Sequence, residues 1–594
     1  MIAARPNRAT LAAMRGPTRA LAIVLTGALA ACGGDDATAP PPDAADADAT
    51  PPPPSCPDPP ITPGPDAVVP GTPSLPYPTL RHLTIVWPYA GDPDGDATTT
   101  VRYRVADGTW RAAMPLFRAP AATLEGVSWD ARFAGTIFGL EPDTAYEVEV
   151  TLRDPDGGCA AQTLTARTRP VPAPMPGAPI VPVTPATLAG ALGAAQPGQI
   201  LELAGGTYPG FTVTTDGAAG QPIVIRAAAG ATVSVGGDVR LDGRRFVHVV
   251  GLTIAGKIKF NDAADLAIVG NHVTTTEDGI VTKTRGERHY IADNDVVGAT
   301  AWAEASLGVD GANVGEGIEV TGPGHVIEHN HVRGFRDCVS LIEDAGAIEQ
   351  VAIDIVGNDL EQCADDAIEA DFCAHDCRIV GNRMRDVFMA MSSQPGLGGP
   401  TYFVRNVAWN VVLSPFKLQR GSIGDVLINN TVVKRGDAFG VFTTDVFARQ
   451  WIRNNLFLGG AGGTYNGYDI GAGAVIELRA ADTATLDMDH DGFGSSAGFT
   501  GRIGATAFAS LAELRARTTE AHAVEVGPAV FATPTAAPAS PFPAPPMPSL
   551  TLAPGGAAVD VGVALPNLAD AYAGAAPDLG AYELGQPPPS YGPR

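Results

Sequence analysis

Positive charge is what this sequence has least of. Lys and Arg number 39 against 64 Asp and Glu, giving a net charge of −25 over 594 residues. That argues against nucleic acid as a partner, because neutralising phosphates takes clustered basic residues. It also excludes holding an acidic polymer by bulk charge; a local basic cluster or a bridging cation would be needed. Charged residues are only 17% and aromatics 6%, so long charged helices are not expected. Beyond residue 31 there is no run of about 18 apolar residues, so no membrane-spanning helix is expected there. What the chain has instead is Gly (70), Pro (53) and 45% hydrophobic residues, a profile of many short strands and turns. Its length exceeds one compact core, so several modules are expected.

The first 31 residues read as an export signal. Arg5, Arg8, Arg15 and Arg19 precede an apolar stretch, Leu21 to Ala31, too short to cross a bilayer. Leu29-Ala30-Ala31-Cys32-Gly33 resembles a bacterial lipobox. The resemblance implies cleavage before Cys32, lipidation of its thiol, and a membrane partner through the lipid anchor. Gly33 after the cysteine points to the outer membrane by the same resemblance. Residues 32–77, rich in Pro, Ala and Asp, read as an extended tether. Six further cysteines enter an oxidising compartment. Cys56 and Cys159 are candidates to tie the tether to the next module. Cys338, Cys363, Cys373 and Cys377 suit two disulfides of open pairing, with a metal site of Cys363, Cys373, His375 and Cys377 as the alternative.

Residues 78–169 predict an all-β sandwich. Alternating runs such as Leu83–Trp87 and Tyr146–Val150 are separated by turn signals, Asp92-Pro-Asp-Gly95 and Asp154-Pro-Asp-Gly157. Leu140-Glu-Pro-Asp-Thr-Ala-Tyr146 resembles the tyrosine corner of fibronectin type III domains. With no catalytic cluster in it, the module reads as a spacer. Residues 170–180 are a linker, 181–585 a second domain and 586–594 a tail.

The second domain carries an internal repeat. An apolar residue, two others, Asn, one other and an apolar residue recur at Asn271, Asn294, Asn330, Asn358, Asn382, Asn410, Asn430 and Asn455, spaced 20 to 36 apart. A coil of that length makes one turn of three short strands, and successive turns stack ~4.8 Å apart. Asn at one bend then forms a ladder. The fold expected is all-β: the sandwich followed by a solenoid. Leu188–Ala195 supplies a cap, and Gly205-Gly-Thr-Tyr208 resembles the start of right-handed parallel β-helices of the pectate-lyase superfamily.

Apolar anchors follow each bend: Ile280, Ile318, Val339, Ile368, Met391, Leu418 and Val441. Strand alternation predicts outward side chains one before, one after and three after each anchor. That column gathers Lys283, Glu319, Glu369, Asp371, Gln394, Lys417 and Gln419, with Asp366 at a strand start and Arg405 and Arg420 near in sequence. Asp366, Glu369 and Asp371 are a candidate Ca²⁺ site, offering hard oxygen ligands. Lys417, then Lys283, are candidate bases for abstracting the α-proton of a uronate, with Arg420 and Arg405 stabilising the anion. Glu319, Gln394 and Gln419 are candidate substrate contacts. Asp365-Asp366-Ala-Ile-Glu369, Gly398-Gly-Pro-Thr-Tyr402, Arg405-Asn406 and Pro415-Phe-Lys417-Leu resemble bacterial β-helix proteins of the polysaccharide-lyase type. The chemistry of these residues, with the weight the resemblance adds, points to a lyase or epimerase on an acidic polysaccharide, expected to act as a monomer. Two other expectations stay open: a glycoside hydrolase of the polygalacturonase-like type with Asp366 and Glu369 as acid and base, and a surface glycan-binding protein without catalysis.

Overall fold

The computed structural model describes Cys56 and residues 61–594. The export signal and Cys32 lie outside the described residues. Among the described residues no helix is long and apolar enough to cross a membrane.

Two four-stranded antiparallel sheets form the sandwich. One holds Val69–Pro70, Leu83–Ala90, Arg132–Ile137 and Phe117–Ala119; the other holds Ala160–Arg167, Ala145–Arg153, Thr98–Val105 and Arg111–Ala113. Trp87, Phe133, Tyr146 and Val148 fill the space between them. The Tyr146 hydroxyl accepts the Glu141 N–H at 2.9 Å, the corner contact expected from the sequence. The module begins earlier than residue 78. Val69–Pro70 pairs with Tyr89 and Ala90, and Cys56 is bridged to Cys159.

Three parallel ladders build the rest. The first runs through thirteen strands from Ile180–Val183 to Asp487–Asp489. The second begins at Gly206–Thr212 and ends at Val524–Glu525; the third includes Ile258–Lys259, Ile280–Val281, Glu316–Val320, Asp337–Leu341, Asp366–Glu369, Met389–Ser393 and Lys417–Leu418. The middle coils, from Val233–Arg240 to Lys417–Leu418, contribute a strand to each ladder, so residues about 20 to 36 apart become neighbours. The chain is a parallel β solenoid with one continuous apolar core. Inside it, Phe439, Phe457 and Phe493 stack at 4.8 and 5.7 Å.

The Asn ladder sits between the first and second ladders, with one correction. Asn406, not Asn410, is its member: it donates to Asn430 Oδ1 at 3.0 Å from the backbone and 3.2 Å from the side chain. Asn410 instead binds Asp386 at 2.5 Å. The physical reason is the bend. Every ladder residue follows a residue of positive φ: Gly270, Asp293, His329, Gly357, Gly381, Arg405, Asn429, Asn454 and His490. Only Asn406 follows such a residue at the right place in its coil. Leu252 N–H opens the ladder on Asn271 Oδ1, and Asp491 closes it, accepting from Asn455 at 2.6 and 2.8 Å. Asn358→Ala, which removes the side-chain acceptor of the Asn330 N–H and the side-chain donor to Ile327 C=O, is expected to cost about 2–3 kcal/mol. Denaturant unfolding checks this.

The cysteines pair Cys338–Cys363 and Cys373–Cys377, which overturns the Cys/His metal alternative. His375 pairs with Asp376 instead, at 2.9 Å. The sandwich is not a free spacer either. It lies on the first ladder, where Arg132 donates to Ala374 O, Thr136 Oγ1 donates to Asp376 Oδ1, and Phe138 packs edge-on against Tyr402. The tail also docks: Gly592 N–H reaches Gly357 O at 2.9 Å, and Arg594 pairs with Asp293 and Glu328.

Candidate acid–lysine groove

The third ladder positions the chemistry. Ile280, Ile318, Val339, Ile368 and Met391 stack in register and point into the core. Alternation then turns Val281, Glu319, Ser340, Glu369 and Ser392 to the other side. Lys417 pairs with Ser392 and so joins this column, one position from the register the sequence suggests. The residues just before the anchors do not face outward as expected. Cys338, Ala367 and Ala390 are core residues, because the chain turns a corner there and the alternation restarts. The restart exposes a column in which the expected Asp366 is joined by two acids the sequence reading missed, Glu316 and Asp337, each two positions before its anchor, on consecutive coils. Counting back past the corner from Ile318, Val339 and Ile368 would have found it.

Two inserts, residues 299–315 and 342–350, rise beside this face. The sandwich hairpin of Ala122–Leu124 and Val127–Trp129 reaches it as well, with Leu124 close to Gly421 and Trp129 packed on Gly398. Arg420 staples the parts together. It binds Glu125 of the hairpin and Asp344 of the insert at 2.7 Å each, and lies over Phe372 at 5.0 Å.

At the centre Lys417 Nζ lies 2.5 Å from Asp366 Oδ2 and 3.6 Å from Glu369 Oε1. The Asp366 N–H donates to Asp337 Oδ1, and Arg336 sits 3.2 Å from Asp337 Oδ2. Ser392 Oγ and the Gln394 N–H both donate to Asp371 Oδ1. Lys283 is paired to Glu319. Acids outnumber cations. Asp366 and Asp371 are fully buried, and Asp365 Oδ1, Asp366 Oδ1 and Asp371 Oδ2 have no hydrogen-bond partner.

The electrostatics follow from that excess. Burial pushes the Asp366 carboxyl up to about 6; Lys417 pulls it down and Asp337 pushes it further up. Burial and then Asp337 hold Glu369 well above the usual carboxylate range, and Asp365 likewise. Burial alone would lower the Lys417 ammonium, but Asp366, Asp371 and Glu369 more than reverse this and hold it well above its ordinary value. Burial, Asp337 and Glu319 push Glu316 up to about 9.

Glu316 gives a stability test. A carboxyl raised in the folded state keeps its proton while the unfolded chain loses its own. Stability is therefore full below about pH 4.5 and falls as pH rises towards 9. Glu316 retains some exposure, so the effect is screened. Glu316→Gln is expected to match wild type at pH 4 and to be about 2 kcal/mol more stable at pH 9. Melting curves at the two pH values check it.

Other predicted residues lie differently. Arg405 is half-buried at the bend before Asn406, between the first and second ladders, and lines a cavity of about 160 Å³ with Tyr582 and Glu583. Its place in the sequence near Lys417 does not bring it to the third ladder. Gln394 faces the groove through its backbone N–H, and Gln419 Nε2 donates to Phe442 O at 3.4 Å. For a cation, the oxygens of Glu343, Glu369 and Asp371 lie within 4.8 Å of one another. Asp366 is replaced in that set by Glu343, because its Oδ2 is taken by Lys417. A cavity of about 550 Å³ beside Cys56, Ile61 and Cys159 brings together no acid–base pair of this kind. The chain matches no protein-family model, no curated protein and no solved structure.

Proposed function

We propose that this chain is an exported, lipid-anchored polysaccharide-active enzyme that cleaves a glycan laid along the third ladder. The single observation that carries this is Lys417 clamped between Asp366 and Glu369, two carboxyls of one strand that it reaches from two coils on, at 2.5 and 3.6 Å. Such a clamp sets two carboxyls to opposite tasks. Glu369, held protonated by burial and Asp337, gives its proton to the glycosidic oxygen as the C–O bond breaks. Asp366, kept ionised by Lys417, takes a proton from the water whose oxygen joins the anomeric carbon. Lys417 steadies that carboxylate.

The geometry weighs against Lys417 as an α-proton base. An ammonium paired with the Asp366 carboxylate carries no lone pair at neutral pH. One observation keeps a lyase or epimerase as a second reading: Glu343, Glu369 and Asp371 form an oxygen set that suits Ca²⁺. When bound there, the ion would neutralise a uronate carboxylate and acidify its α-proton, with Lys283 the more exposed candidate base. On either reading the architecture is read as the right-handed β-helix of the pectate-lyase superfamily, with a fibronectin type III-like module docked on it.

Product chemistry separates the readings. The purified protein is incubated with neutral glycans and with alginate, pectate and glycosaminoglycans, with and without Ca²⁺. Hydrolysis releases reducing ends without the absorbance of an unsaturated uronate. A Ca²⁺-dependent rise in that absorbance supports the lyase. Binding without any new chain end on any polymer overturns catalysis and leaves glycan adhesion.

A further inference from the structure

A second cluster lies at the far end of the solenoid. Asp489 ends the last strand of the first ladder, His490 occupies the bend before Asp491, and His522 precedes the last strand of the second ladder. The two imidazoles are stacked, centroids 4.4 Å apart and 12° from parallel. Both turn to one carboxylate oxygen: His522 Nδ1 is 2.7 Å from Asp489 Oδ2, and His490 Nε2 is 3.9 Å from it. The other oxygen, Oδ1, is fixed by the backbone N–H groups of His490 and His522 at 2.9 and 2.7 Å. On the far side of its ring, His490 Nδ1 is 3.5 Å from the Val561 carbonyl. A carbonyl only accepts, so Nδ1 carries the proton and Nε2 turns its lone pair to the cluster. That is the outer-sphere contact that orients a ligating histidine.

We propose that Asp489, His490 and His522 form a binding site for a divalent transition ion of the Zn²⁺ class. Two imidazole nitrogens and one carboxylate select such an ion over Ca²⁺, which takes oxygen ligands. The ligand atoms lie within 4.8 Å of one another. An ion at the usual ~2.1 Å from each therefore needs only small side-chain rotations. The ion takes the place of the proton between His522 Nδ1 and Asp489; that proton moves to the ring's other nitrogen, on a side chain that is 63% exposed. Three protein ligands leave a further position to water. The site joins three segments: the end of the first ladder, the stretch before the last strand, and the C-terminal wrap at Val561. Its effect is to pin the terminal coil, where an open apolar end would otherwise fray. The site is independent of the groove chemistry.

The test is Zn²⁺ calorimetry on the full chain, without a polyhistidine tag, in metal-free buffer. One equivalent is expected to bind with Kd below about 10 µM, with a raised melting temperature. His522→Ala, at an exposed position that leaves the fold intact, is expected to weaken binding at least ~30-fold. His272→Ala, at another carboxylate-paired surface histidine, is expected to bind like wild type. Ca²⁺ at 1 mM is expected to leave the isotherm unchanged. No saturable binding, or equal binding by His522→Ala and wild type, overturns the proposal.

Discussion

Asp366→Asn is expected to lower glycan turnover by about 10²- to 10⁴-fold, the range general acid–base groups contribute, while leaving the solenoid folded. Asparagine keeps the shape of the side chain and an oxygen for Lys417 Nζ, but it cannot exchange a proton. The buried site already strains to hold a negative charge at this position, because burial and Asp337 raise the carboxyl to about 6. Removing the charge therefore costs little stability. Lys417→Ala is the contrasting variant. It also abolishes turnover, but it leaves Asp366, Glu369 and Asp371 buried without their cation. Breaking a buried ion pair from one side costs about 3–5 kcal/mol. A melting curve and a rate for each variant give the pattern: both inactive, only Lys417→Ala destabilised. If Asp366→Asn kept wild-type rates, the carboxyl would have no part in the chemistry.

The second large effect is at the docked sandwich. Asp354→Ala is expected to destabilise the protein by about 3–5 kcal/mol. Arg378 Nε donates to Asp354 Oδ1 at 2.5 Å, and His82 Nδ1 lies 2.9 Å from Oδ2. All three are essentially closed to water, at 0%, 2% and 3% exposure for Arg378, Asp354 and His82. Arg378 also donates to Thr84 and Thr136 of the sandwich. Alanine would strand a buried guanidinium between two domains. Burial opposes ionisation of Asp354, but Arg378 and His82 overcome it and hold the carboxyl well below the usual range. A depressed carboxyl contributes stability above the unfolded value near 4 and loses it as pH falls below that. Calorimetry at pH 7 is expected to show the sandwich melting ahead of the solenoid in the variant. A single transition at the wild-type temperature would mean that the contact does not hold the domains together.

The repeat was legible because it is local. An Asn with apolar flanks fixes one bend per coil, and the parallel ladders follow from stacking those bends. Asn410 shows the limit: its flanks fit the motif, but the bend is set by the residue before the Asn, and Arg405 gives no glycine-like signal. The groove was half legible. Glu369 lies on the expected face because alternation holds within a strand, and Asp371 follows just beyond it, whereas Lys417 reaches that face from a register one position away. Glu316 and Asp337 were missed because alternation does not survive a corner. Glu343 and Arg420's two partners, Glu125 and Asp344, come from an insert and from another domain, and no spacing rule in the sequence links them.

The most direct measurement is a crystal structure of the Asp366→Asn protein with a bound oligosaccharide of the polymer it recognises. The account predicts a glycosidic oxygen within hydrogen-bond reach of Glu369, with the sugar spanning the coils that carry Glu319, Glu369 and Lys417. An oligosaccharide seated instead at the Arg405 cavity or on the sandwich, with the third ladder bare, would contradict it.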